Sequence, residues 1–94
     1  MNDIILNRIQ RAVLNGDYIF TDHALEEAEA DDLLVQDIID VLLIGYIEVI
    51  YTDDPRGARY VVRGDLDDVE VDVVCRFRKD GKLLIIITVY VVDR

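Results

Sequence analysis

The fold is decided by the C-terminal stretch VEVDVVCRFRKDGKLLIIITVYVV, residues 69–92. In its first ten residues, apolar side chains such as Val71 and Cys75 alternate with charged ones such as Asp72 and Arg76. This two-residue period is typical of a strand with one buried face. The last ten residues are apolar at almost every position and rich in β-branched side chains. That pattern predicts a strand buried on both faces, at the centre of a sheet.

A tight hairpin is predicted where these two runs meet. Asp80-Gly81 favours a type I′ turn, because both central residues of that turn need positive φ. The turn would fix the register so that Arg76 lies opposite Ile85. In this register, Thr88 and Tyr90 fall on the same face of the sheet as the apolar residues of the first run, such as Cys75. Because the helices are expected to pack there, both are predicted to be core residues that carry a polar group.

Three helices and two further strands are predicted before the hairpin. Periodicity places helices over residues 3–15, 22–30 and 35–44, and strands over residues 46–52 and 58–64. Residues 18–20 form either a short edge strand or an extended connector. The chain is therefore predicted to be one α+β domain, residues 1–94. In it, three N-terminal helices pack on one face of a four-stranded antiparallel sheet, a meander.

The net charge of −10 is distributed unevenly along the chain. Residues 1–45 contain ten acidic and two basic residues, whereas residues 46–94 contain ten acidic and eight basic residues. The total argues against a simple nucleic-acid binder, because neutralising phosphates needs a basic surface. The acidic half is either a solvated face that keeps the protein soluble or a surface that engages a basic partner protein.

Nothing in the sequence predicts export or insertion into a membrane. The longest apolar run, residues 83–92, is too short to span a bilayer, and the N-terminus lacks the apolar core of a signal peptide. The single cysteine, Cys75, can form no internal disulfide and is expected to be a small buried hydrophobic residue. We therefore expect a cytoplasmic protein.

His23 is the one side chain suited to proton transfer near neutral pH. It follows Thr21, the predicted N-cap of the second helix, and so lies near the positive end of the helix dipole, which favours a neutral imidazole. A neutral imidazole is able to act as a general base. The alternative is a histidine that only caps or hydrogen-bonds locally. One histidine and one cysteine cannot build the usual four-ligand zinc site, so neither a metal nor another cofactor is predicted.

Four arginines on two predicted strands form a second group of candidates: Arg59, Arg63, Arg76 and Arg78. If they share one face of the sheet, their guanidinium groups converge in a geometry suited to binding phosphate. The alternative is that they form cross-strand ion pairs with Glu48, Glu70 and Asp72. The sequence leaves both open.

Three segments resemble the small prokaryotic proteins grouped as domain-of-unknown-function family 4258. They are YIFTDHALEEAEADDLLVQDIIDVLLIGYIEVIY, DDPRGARYVVRG and LLIIITVY, and the likeness covers about residues 18–92. Its specific parts include Thr21-Asp22-His23-Ala24, Arg59-Tyr60 and Thr88-Val89-Tyr90. Each part is short, and the match rests on their shared order.

This resemblance implies a relation to the toxin fold of RelE, ParE and BrnT, in which helices precede a curved antiparallel sheet. It implies a domain of a toxin–antitoxin-like system with metal-independent ribonuclease activity, or a toxin-like partner of an antitoxin. On that basis His23 would be the catalytic base or acid, Arg59 and Arg63 the phosphate ligands, and Tyr90 a supporting catalytic group.

The chain departs from the family pattern after its second helix. Where the family usually has Arg-Gly and a helix-capping serine, this sequence has Asp31, Asp32 and Leu34. An acid in place of a base disfavours RNA binding. It favours the alternative function, a non-catalytic protein-interaction module on the same fold. The partner would be a cognate antitoxin, another basic protein, or a second copy paired through an edge strand at 46–52 or 58–64.

Overall fold

A computed structural model describes residues 2–92 of the 94-residue chain. The helices are α1 (Asn2–Leu14), α2 (Asp22–Ala30) and α3 (Val35–Ile44). The strands are β1 (Tyr18–Phe20), β2 (Tyr46–Tyr51), β3 (Arg59–Leu66), β4 (Val69–Phe77) and β5 (Leu84–Val91). The predicted helices and strands are confirmed to within a few residues, and the fold is α+β. None of the helices in the described part of the chain is long and apolar enough to cross a membrane.

The sheet has five strands in the order β1-β5-β4-β3-β2, so the prediction of a four-stranded antiparallel meander is wrong. The additional strand is β1, which runs parallel to β5 and pairs Tyr18 with Leu84 and Phe20 with Ile86. A meander alone would leave β5 at an edge, and β1 covers that edge. The apolar character of β5 is thereby explained, although the middle strand of the sheet is β4 rather than β5.

The edges of the sheet also differ from expectation. β2 is an edge strand, as the pairing of residues 46–52 across a dimer would require. β3, which covers most of the predicted strand 58–64, lies between β2 and β4 and is no edge. The second strand proposed for pairing between two copies is therefore unavailable.

The hairpin register is confirmed, but the predicted turn type is wrong. Arg76 lies opposite Ile85, and the Arg78 amide donates to the Leu83 carbonyl at 2.8 Å. Gly81 has φ of 73°, whereas Asp80 is not among the described residues with positive φ, so the turn is not type I′. Instead the Gly81 amide donates to the Arg78 carbonyl at 2.7 Å, which closes a turn one residue earlier.

Two bulges change which side chains share a face. In β5 the partners step from Ile86 opposite Cys75 to Thr88 opposite Val74, which leaves Ile87 as an extra residue. Beyond the bulge the alternation of β5 is reversed. Thr88 and Tyr90 therefore lie on the face opposite the helices, and the prediction that they are core residues is wrong. In β2, Glu48 is the extra residue of a similar bulge.

The main core lies between the helices and one face of the sheet. Its fully buried members come from α1, from α2 and α3, and from the sheet, and they include Ile9, Ala24, Ile38, Val41, Leu42, Val62, Val71, Val73, Leu84, Ile86 and Val89. Cys75 is buried in the same core, as predicted, and burial raises the pKa of its thiol to about 12. The thiol is thus a packing group and not a nucleophile.

α3 contacts the sheet closely at Gly45, the residue that ends the helix. A Cβ atom built at this position would lie 2.5 Å from the Arg63 carbonyl oxygen and 2.6 Å from that of Val41. The backbone of Gly45 has φ of −82°, which any residue adopts. Glycine is therefore required here for space and not for its conformational freedom.

Gly45→Ala is expected to lower the free energy of unfolding by about 2–3 kcal/mol, because both neighbours of the new methyl group are backbone atoms that cannot rotate away. Urea unfolding followed by circular dichroism measures this change. The control is Gly16→Ala, where φ is +76° but the space around the Cβ is open. That variant should lose about 1 kcal/mol from its backbone conformation alone. Equal losses in the two variants would contradict the steric explanation.

Candidate functional site

The face of the sheet opposite the helices, called here the open face, is built of three rows of side chains that run across the strands. The first row is Tyr46, Arg63, Asp72 and Tyr90. The second row is Val49, Val61, Val74 and Thr88. The third row holds Tyr51, Arg59, Arg76 and Ile85. The register therefore brings Arg59, Arg63 and Arg76 to one face, whereas Arg78 follows the last residue of β4.

The first row is organised around a buried carboxylate. Asp72 is only 2% exposed and accepts two hydrogen bonds from Arg63, from Nε at 2.8 Å and from the terminal nitrogen at 3.0 Å. Glu48 approaches the same guanidinium at 3.6 Å. The hydrogen bonds from Arg63 to Asp72 raise the pKa of Arg63. Arg63 is thus neutralised within the sheet by two of the carboxylates of the cross-strand alternative.

Tyr90 lies directly opposite Asp72 on the neighbouring strand and is partly exposed. Burial, followed by the negative charge of Asp72, raises the pKa of its phenol. The bulge in β5 thus brings Tyr90 to the row that holds Arg63, although the sequence had predicted Tyr90 for the core. Two of the predicted site residues therefore lie in the same row of the open face, with Asp72 between them.

Arg59 and Arg78, at the ends of their strands, also have carboxylate partners. Arg59 lies 3.4 Å from Asp54 and over the ring of Tyr51, with 5.0 Å between the guanidinium carbon and the ring centre. Asp54 also receives hydrogen bonds from Arg56, which lower the pKa of that carboxyl group. Arg78 forms an ion pair with Asp80, and this lowers the pKa of Asp80 to about 2. Of the four predicted arginines, Arg76 alone forms no ion pair among residues 2–92.

His23 lies across the sheet from Arg59 and Arg63. It is exposed at the start of α2, which follows the edge strand β1, and two strands separate β1 from β3. The helix cap is Thr21, as predicted, whose hydroxyl accepts a hydrogen bond from the Ala24 amide at 3.0 Å. Four surface clefts are resolved in the described chain, and His23 lines none of them. Arg59 and Arg63 also line none of these four clefts.

Within residues 2–92, no three histidine, cysteine or carboxylate side chains are grouped so as to hold a metal ion.

The family model described as "Domain of unknown function (DUF4258)" matches residues 20–91. The chain belongs to this family. Comparison of the DUF4258 domain with curated proteins found no match, and neither did comparison with solved structures.

The surface of α2 and α3 was only partly anticipated from the sequence. Between residues 22 and 40 it carries eight carboxylates and neither lysine nor arginine. Exposed apolar side chains lie among these carboxylates, namely Leu25, Leu34, Val35 and, at the end of α3, Ile44. Charge counting indicated the acidic half, but only the packing identifies which of the many apolar residues of this segment point to solvent.

The basic residues gather at the opposite end of the sheet, and this grouping was missed. Seven of the ten bases line the four clefts: Arg8, Arg11, Arg56, Arg76, Arg78, Lys79 and Lys82. Arg8 lies over the ring of Phe77 at 3.8 Å and donates to the Gly81 carbonyl, so α1 adds its own charge to the hairpin. A cluster of bases around residues 76–82 was the available signal in the sequence.

The pairing of Arg78 with Asp80 is expected to hold the pKa of Asp80 at about 2 in an NMR titration of the carboxyl carbon. Because the folded-state pKa is depressed, the contribution of this pair is present above the unfolded pKa of about 3.9 and is lost as the pH falls toward 2. Arg78→Gln should raise the pKa of Asp80, and Arg76→Gln should leave it unchanged. Titration of Asp80 near 4 in the parent protein would contradict the ion pair.

Proposed function

We propose that this DUF4258 domain is a non-catalytic protein-interaction module. Its α2–α3 surface would bind a basic, amphipathic segment of a partner protein. The observation that carries the proposal is Leu34, which is 70% exposed at the N-cap of α3. Serine, threonine, aspartate or asparagine usually occupies an N-cap, because their side chains accept a hydrogen bond from the first turn.

Leucine at this position lowers helix stability and adds exposed apolar area. The Leu34 side chain cannot accept a cap hydrogen bond, and the helix start is held instead by Asp37, whose carboxylate accepts from the Leu34 amide at 2.8 Å. A residue that weakens its own helix while it exposes a large apolar side chain is better explained by a contact with another molecule than by folding.

The charges around Leu34 favour a basic partner. Asp31 and Asp32 precede it, and the neighbouring helices contribute further carboxylates without a single lysine or arginine between residues 22 and 40. Apolar anchors surrounded by one sign of charge suit an amphipathic helix with the opposite sign on its polar face. The resemblance to toxin folds suggests an antitoxin as one partner of this kind.

A synthetic helical peptide of about 18 residues, built of leucine and lysine with one apolar face, is a suitable probe. Leu34→Ser should weaken its binding about tenfold in calorimetry, because about 1.5 kcal/mol of apolar burial is lost. The same substitution should raise the free energy of unfolding by about 0.5–1 kcal/mol, because serine caps the helix. Weaker binding by a more stable protein would exclude unfolding as the cause.

Leu14→Ser is the matched control, because Leu14 is 73% exposed but lies at the end of α1. It should leave the peptide affinity unchanged. Equal losses for the two leucines, or no binding by the parent protein, would contradict the proposal. Sedimentation of the protein alone tests the other occupant, a second copy. A dimer that Leu34→Ser dissociates and Leu14→Ser does not would assign the surface to self-association.

Metal-independent RNA cleavage is the second candidate function, and one observation favours it. The bulge in β5 places the phenol of Tyr90 in the same row as Arg63, so a proton donor and a cation share the open face. Against it stand the pairing of Arg63 with Asp72 and the position of His23 across the sheet. For this function, a substrate phosphate would have to compete with Asp72 for the guanidinium.

The second candidate predicts that the purified protein cleaves single-stranded RNA in the presence of a metal chelator. It further predicts that His23→Ala slows cleavage at least about 100-fold, the usual contribution of general acid–base catalysis. Tyr90→Phe tests the phenol with little change in shape. Gel analysis of the cleaved ends as a function of time measures both effects. Equal cleavage by parent and His23→Ala proteins, or cleavage by neither, would exclude His23 as the catalytic group.

A further inference from the structure

Three adjoining clefts at the hairpin end of the sheet reverse the charge of the molecule locally. Their lining contains seven basic residues and one acidic residue, Asp17, whereas the whole chain has twice as many acids as bases. The first two clefts share Arg8 and Phe77, and the first and third share Arg56, Arg78 and two further residues. They therefore form one continuous basic surface.

The third of these clefts, called here the basic cleft, combines charge with an apolar floor. It has a volume of about 390 Å³ and is lined by Pro55, Arg56, Arg76, Arg78, Lys79 and Ile85. Pro55 and Ile85 are apolar, and the four cationic side chains come from two separate parts of the chain, the loop after β2 and the end of β4. Its volume is in the range of sites that bind small molecules.

We propose that the basic cleft binds a small nucleoside phosphate. Three guanidinium groups and one ammonium group suit a phosphate, since planar guanidinium groups donate two hydrogen bonds at once to its oxygens. The cleft is larger than one phosphate needs, and its apolar floor with neighbouring guanidinium planes offers a stacking surface for a base. Free phosphate would satisfy only the charged part of this lining.

The charge distribution favours a small ligand over a long RNA. Electrostatic interactions in water are screened over about 10 Å at 0.1 M salt, and the molecule extends 33 Å along its longest axis. Carboxylates more than about 10 Å from the basic cleft therefore act only weakly on a nucleotide held there. A polynucleotide that continues beyond the cleft meets the remaining surface of a protein whose net charge is −10.

Two of the four cations are free to meet such a ligand, and the other two are paired with carboxylates of their own loops. Among residues 2–92, Arg76 and Lys79 form no ion pair. Arg78 is paired with the exposed carboxylate of Asp80, whereas Arg56, itself 70% exposed, is paired with Asp54, whose side chain is only 8% exposed. The exposed Arg78–Asp80 pair contributes little free energy, so a multiply charged phosphate is able to displace it. Arg56 uses Nε and one terminal nitrogen in its pair with Asp54, which leaves its other terminal nitrogen for a ligand. The cleft is independent of the α2–α3 surface proposed above.

The test is a titration of the 94-residue protein with ADP. Binding is monitored by NMR amide shifts and by calorimetry. ADP should shift the amides of residues 76–79 and 85, adenosine should not, and inorganic phosphate should bind more weakly. Replacing Arg76 and Lys79 together by glutamine should weaken ADP binding about tenfold or more, since two charge-assisted contacts are lost. Binding should also weaken as salt is raised.

Lys82→Gln is the matched control, because Lys82 is an exposed base of the same hairpin that lines the neighbouring cleft and not this one. It should change the affinity for ADP by less than about twofold. Absence of ADP binding, equal effects of the Lys82 variant and the double variant, or equal binding of adenosine would each overturn the proposal. If an RNA of about 20 nucleotides binds more tightly than ADP, the ligand of the basic cleft is a polynucleotide and the proposal of a small nucleoside phosphate is wrong.

Discussion

The hydroxyl group of Thr21 joins three parts of the fold at one point. It accepts a hydrogen bond from the Ala24 amide, which starts α2, and donates one to the Ile87 carbonyl at 2.8 Å. Ile87 is the extra residue of the bulge in β5, whose carbonyl would otherwise lack a partner in the regular ladder. The Thr21 amide donates to the carbonyl of Ile86, the residue before Ile87. One side chain thereby ties the end of β1, the start of α2 and the bulge together.

The open face depends on that bulge. Without the extra residue, Thr88 and Tyr90 would point into the helices and Val89 would point away from them. With it, Val89 is fully buried in the core and Tyr90 stands opposite Asp72. The helix layer and the polar row on the other face are therefore specified by the same local irregularity, and a change that removed it would disturb both.

Periodicity was sufficient to predict the helices, the long strands and the hairpin register, because each depends on local apolar patterning. It could not reveal the bulges, since an extra residue in a run such as Leu84–Val91, apolar at almost every position, leaves no break in the pattern. It also could not decide between an edge strand and a connector for residues 18–20. That choice depends on whether β5 has a free edge, and thus on contacts distant in the sequence.

The four predicted arginines illustrate the same limit at the level of function. Spacing placed Arg59, Arg63 and Arg76 correctly on one side of their strands, but a guanidinium group is useful to a ligand only if no carboxylate of the protein holds it. Asp72 is buried and holds Arg63 through two hydrogen bonds, whereas Asp80 is exposed and holds Arg78 in solvent. A buried ion pair is disrupted only at the expense of an isolated buried charge, and an exposed one exchanges readily.

This difference divides the basic residues into two classes. Arg63 is a structural part of the sheet, whereas Arg78 at the basic cleft is held only by an exposed carboxylate. The acidic helices and the basic end are complementary in charge, which would favour contact between copies of the chain. Asp54 and Asp80 lower the local positive charge that a distant carboxylate of another copy would meet. A ligand with several charges on one small group loses less by this, because it meets Arg76 and Lys79 together, which form no ion pair among residues 2–92, and displaces the exposed Asp80 from Arg78.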